Sequence, residues 1–123
     1  MSTGWDRALV ALGGIAGCLG VALAAMAAHV TGGGNLETAS RFLLLHAPAL
    51  LALAALTGAR LVHPGPGRIA GAVMVLGLVL FCGDLAVRAI WAVAPVRLAA
   101  PVGGVLLMVA WLGVGIAALL PRR

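Results

Sequence analysis

Lysine and tyrosine are absent from this 123-residue chain, and charge is scarce: eight basic residues, all arginine, and three acidic ones. A water-soluble domain usually carries about 25% charged residues; here 9% are charged and 63% are hydrophobic. So few charges cannot cover a globule of this size, and the composition excludes a water-soluble monomer. Disorder is excluded as well, because it needs low hydrophobicity with high charge. The net charge of +5 does not indicate nucleic acid. The arginines sit singly or in pairs between apolar blocks, not on one basic face interleaved with base-reading groups. The two cysteines, Cys18 and Cys82, lie inside apolar runs, match no metal-ligand spacing and form no CxxC pair. They read as small buried apolar side chains.

What remains is long apolar runs. Four of them, about 8–30, 42–60, 69–92 and 98–120, are bounded by Arg, Gly or Pro. A helix rises 1.5 Å per residue, so about 20 apolar residues cross a hydrocarbon core of roughly 30 Å. The runs are rich in Ala, Leu, Gly and Val and lack the alternation of a membrane barrel. The expectation is an all-α integral membrane four-helix bundle, one membrane domain over residues 1–123 with no extramembrane domain. Thr31-Gly32-Gly33-Gly34 reads as a flexible connection, with Asn35 capping a helix that starts at Leu36. His63-Pro64-Gly65-Pro66-Gly67 reads as a tight turn at which the prolines end any helix.

The first run also carries signal-like features, an Ala25-Met26-Ala27 cleavage pattern and an Ile15-Ala16-Gly17-Cys18 lipobox pattern. Its uncharged stretch exceeds the 7–15 residues of a signal core, and Arg7 is offset by Asp6, so the span is expected to be retained. Four spans put Arg7, Arg60, Arg68, Arg122 and Arg123 on one side and Arg41, Arg88 and Arg97 on the other. That excess marks the cytoplasmic face and both termini. Trp5 and Trp91 then fall near opposite interfaces.

Ionisable residues gather toward the outer half: His29, Glu37, Arg41, His46, Asp84 and Arg88. Asp84 and Arg88 share a helix face four residues apart. Asp84 lies roughly 6 Å deeper than the interface, where an isolated carboxylate costs several kcal/mol. One reading is a polar pocket open to the outer side, serving a proton relay, a small ligand or a cofactor. The plainer and favoured reading is that Asp84 and Arg88 neutralise each other, His46 hydrogen-bonds across helices, and the rest sits at headgroup level. His29 lies about 8 Å more superficially than His46 by the same rise, which argues against shared haem or metal ligation. No metal and no cofactor is expected. Gly13, Gly17, Gly20, Ala24 and Ala28 form small-residue ridges on the first span, and Gly71, Gly77 and Gly104 thin the third and fourth. Such residues let helices approach closely where lipid supplies no hydrophobic drive. Pro48 removes one backbone hydrogen bond, with a kink expected below His46.

Four motifs in order resemble one family. Val21-Ala22-Leu23-Ala24-Ala25-Met26-Ala27-Ala28-His29 resembles the Ala-His motif of the domain of unknown function 423 family. Thr38-Ala39-Ser40-Arg41-Phe42 with His46-Ala47 is similar to its second motif, and Phe81-Cys82-Gly83-Asp84-Leu85 to its third. Pro101-Val102-Gly103-Gly104 leading to Trp111 is similar to its fourth. The resemblance implies a small four-helix bacterial inner-membrane protein with mitochondrial relatives, and it supplies no activity. The family usually has Tyr and Gln where this chain has Phe42 to Leu45, and Ser and Tyr where it has Asp84 and Ala86.

With no nucleophile constellation, carboxylate pair or phosphate loop, the expected role is non-enzymatic: a structural or accessory component associating with itself or a larger membrane complex. The alternative is a small permeation or proton-handling protein using His46, Asp84 and Arg88.

Overall fold

A computed structural model of the chain describes residues 4–31, 33–93 and 97–121; Gly32, Arg122 and Arg123, named above, lie outside the described residues. It is all-α, with four helices each long and apolar enough to cross a membrane. They are α1 (Gly4–Met26), α2 (Asn35–Gly58), α3 (Pro64–Trp91) and α4 (Ala99–Leu119), with a short π-helical turn, Ala27–Thr31, extending α1.

Neighbouring helices run antiparallel, so the start of α1, the α2–α3 connection and the end of α4 share one end, here the terminal end. The α1–α2 and α3–α4 connections share the other, the loop end. α1 packs on α2, α2 on α3 and α3 on α4. α1 meets α3 near their starts, where Leu9 lies against Gly71 and Asp6 faces Arg68. Toward the loop end the two diverge around an apolar groove of about 420 Å³ that includes Leu19, Leu23, Val79 and Ala86. The core runs along α2 and α3, with Leu50, Leu53, Met74 and Leu78 buried.

Two local expectations are corrected. The His63–Gly67 stretch is not a turn between helices but the beginning of α3, with Pro64 at its first position. Proline breaks a helix only where its missing N–H would have been bonded; in the first turn that donor has no intrahelical partner anyway. His63 caps the helix, Nδ1 accepting from the Gly65 N–H at 3.2 Å, and its own N–H donates to the Ala117 carbonyl of α4 at 2.9 Å. At the other connection Asn35 is already helical, and Gly34, at φ 71°, occupies the cap with no side-chain bond. A left-handed conformation suits glycine, so backbone geometry rather than an Asn side chain starts α2. α2 then runs through Pro48 uninterrupted. It ends at a Schellman motif, with Leu61 N–H on the Leu56 carbonyl and Arg60 N–H on that of Thr57. This leaves Arg60 at φ 61°, a position usually given to glycine.

Small residues set the helix spacing. A Cβ at Gly103 would lie 2.5 Å from the Phe81 nitrogen and 2.7 Å from the Gly77 carbonyl oxygen. Gly103, not the adjacent Gly104, is therefore the α4 residue that makes the crossing. Gly77 is its counterpart, while Gly13, Gly17 and Gly20 face α2.

Candidate functional site

The ionisable residues toward the loop end separate into three groups. In the first, Asp84 is wholly buried and accepts from Arg88 Nε through Oδ2 at 2.9 Å. Its other oxygen, Oδ1, is buried with no hydrogen-bond partner among the described residues. The reason lies in the register of α3 on α4. Ala70, Gly77 and Asp84 recur at seven-residue spacing along the seam; Ala70 faces Gly113 and Gly77 faces Gly103. Two turns beyond Gly77, the same register brings Asp84 level with the first turn of α4, whose cap residue Leu98 offers no side-chain bond. Arg88, about one-third exposed, extends toward the loop end.

His46 forms the second group. It is buried on α2 with both ring nitrogens engaged: Nδ1 lies 2.7 Å from the Phe42 carbonyl oxygen and Nε2 accepts from Trp111 Nε1 at 3.1 Å. A carbonyl can only accept and an indole can only donate, so the ring holds its proton on Nδ1. Phe42 stacks on the imidazole at 5.9 Å and meets Phe81 at 4.4 Å. His46 thus joins α2 to α4 across the face of α3. No hydrogen bond links it to Asp84.

The third group lines a cleft between α1 and α2 at the loop end. Its volume is about 390 Å³, and Ala24, Ala27, Ala28, Gly33, Glu37, Ser40, Arg41 and Leu44 surround it. Glu37 lies in the first turn of α2. Its Oε1 accepts from an Arg41 terminal nitrogen at 2.7 Å. Ser40 is buried and donates to the Glu37 carbonyl at 2.7 Å. Ala24 and Ala28, read from the sequence as packing residues, border this cleft. His29 is exposed on the π-helical turn.

Three partnerships escaped sequence reasoning. Trp111, 65 positions from His46, supplies its donor. Asp6 faces Arg68 at 3.4–3.5 Å across 62 positions. Cys82 donates from α3 to the Ala39 carbonyl of α2 at 3.5 Å. Trp111 is itself exposed, and nothing in its own apolar run names His46 as its partner. Among the described residues, no cluster of three or more His, Cys, Asp or Glu is placed to hold a metal.

The family described as Protein of unknown function (DUF423) matches residues 23–104, and the chain belongs to it. The matched segment contains the whole cleft, His46, Asp84 and Arg88. No curated protein and no solved structure matches the chain.

Proposed function

We propose that this member of the DUF423 family is a multi-pass protein of the bacterial inner membrane, with both termini cytoplasmic, that acts as a non-enzymatic structural or accessory component of a self-assembly or larger membrane complex. The observation that carries it is the inversion of the usual surface. Large apolar side chains are exposed on every helix, among them Val21, Leu45, Val79 and Leu112, while Asp6, Ser40, His46, Thr57 and Asp84 are buried. A soluble monomer rarely exposes contiguous apolar patches above a few hundred Å², whereas acyl chains solvate such a surface. The flanking helices α1 and α4 each pack along one principal neighbour, leaving apolar faces open for a further helix. The arginine excess at the terminal end supports the orientation.

Fractionation tests the placement: the protein should stay in the membrane pellet through alkaline washing and need detergent for release. In mild detergent it should migrate as an assembly, and a lone monomer with no co-purifying partner overturns the accessory role.

The second reading, a permeation or proton-handling role for His46, Asp84 and Arg88, is favoured by one observation, the buried Asp84 Oδ1 without a donor among the described residues. Proteoliposome flux that Asp84→Asn abolishes supports it. Unchanged flux, stability and phenotype in that variant remove it.

A further inference from the structure

Space, charge and unusual backbone coincide in the cleft between α1 and α2. Its volume of about 390 Å³ falls within the roughly 300–1,000 Å³ of small-ligand sites. The π-helical turn Ala27–Thr31 forms part of its wall; such turns are rare and recur at functional sites. Gly33 and Gly34, at φ 106° and 71°, carry the chain sharply over it.

The charge is arranged to be used. Glu37 engages Oε1 with Arg41, while Oε2 has no hydrogen bond among the described residues and lies along Gly33, 3.0 Å from where a Cβ would stand. Arg41 donates to Glu37 through one terminal nitrogen, and its remaining N–H groups make no hydrogen bond among the described residues. Both side chains are substantially exposed. A simple anion entering the cleft meets the Glu37 carboxylate, and a simple cation meets the Arg41 guanidinium. A molecule bearing both charges satisfies both groups at once. The lining has no aromatic ring, so it lacks the cage that quaternary ammonium requires, whereas a primary ammonium can donate directly to a carboxylate oxygen.

We propose that this cleft binds a zwitterion made of a primary ammonium beside a phosphate, as in the headgroup of phosphatidylethanolamine. The ammonium donates to Glu37 Oε2, and the phosphate oxygens accept from Arg41 in the forked geometry guanidinium favours. The alanine methyl groups provide the room. The lipid source rests on the membrane placement proposed above; soluble phosphoethanolamine offers the same chemistry without it.

The test uses full-length protein reconstituted in mixed phosphatidylethanolamine, phosphatidylcholine and phosphatidylglycerol vesicles, then extracted, with retained lipid identified by mass spectrometry. Phosphatidylethanolamine should be retained about tenfold over the other two, the scale of one charge-assisted hydrogen bond. Glu37→Gln should erase that preference, and Ala28→Leu, which fills the cleft without touching either charge, should do the same, with helix content and melting unchanged. In a parallel arm, detergent-purified protein is titrated with soluble phosphoethanolamine. Glu37-dependent binding there without lipid preference assigns the soluble source. Equal retention of the three lipids together with no soluble binding overturns the site, as does a preference that survives both variants. A protein that fails to enter vesicles defeats the membrane reading alone, since the soluble arm still reports on the cleft.

Discussion

Where α3 crosses α4, glycine meets backbone; where α1 crosses α2, glycine meets mostly the ends of leucine side chains. A Cβ at Gly103 would press on the Phe81 nitrogen at 2.5 Å and the Gly77 oxygen at 2.7 Å. A Cβ at Gly20 would instead meet Leu44 side-chain carbons at 2.8 and 2.9 Å and the Leu43 Cβ at 3.2 Å, and Leu44, the nearest of these, is exposed and can rotate. Gly13 is intermediate, with Leu51 carbons at 3.0 and 3.3 Å and the Ala47 carbonyl oxygen at 3.1 Å. The α3–α4 seam is therefore rigid, because peptide groups cannot move without moving the helix. The α1–α2 seam is compliant. The polar elements follow the same division: Asp84 is locked into the rigid seam, whereas the charged cleft opens beside the compliant one.

Substitution by alanine breaks or sharpens this contrast. Gly103→Ala should have the largest effect, destabilising by about 3 kcal/mol, at the upper end of overpacking costs, read as a lowered midpoint in detergent-induced unfolding. Gly20→Ala should stay within about 1 kcal/mol of wild type in the same assay, because a rotated Leu44 relieves the contact and alanine gains in helix propensity. A loss at Gly20 as large as that at Gly103 would show that the first seam is equally rigid. The smallest effect is expected for Gly104→Ala, whose Cβ would meet only the Phe81 ring at 3.7 Å. It should stabilise by about 0.5 kcal/mol through helix propensity, seen as a slightly raised melting temperature.

Gly103 and Gly104 also show how far the sequence can be read. Both stand in the fourth apolar run, and either residue thins the helix. Only the rotation of α4 against α3 assigns the close approach to Gly103. The prolines at 64 and 66 mislead in a similar way, since the same residue that ends a helix from within begins one from its first turn. The Asp84–Arg88 pair was legible because both partners lie on one helix four residues apart. The pairs Asp6–Arg68 and His46–Trp111 were not, because nothing local in the chain encodes a contact across sixty positions. The sequence read the six ionisable residues as one group, whereas the fold divides them among separate environments.

The four helices follow from the sequence by itself. Apolar runs of this length, rich in good helix formers and poor in charge, leave the backbone few other ways to satisfy its hydrogen bonds away from water. Tertiary structure alone decided which small residues touch, which nitrogen of His46 carries the proton, and which charged side chains share a cleft. Those outcomes depend on the rotation and register of one rigid rod against another, and a single rod's sequence specifies its faces but not the neighbour each face meets.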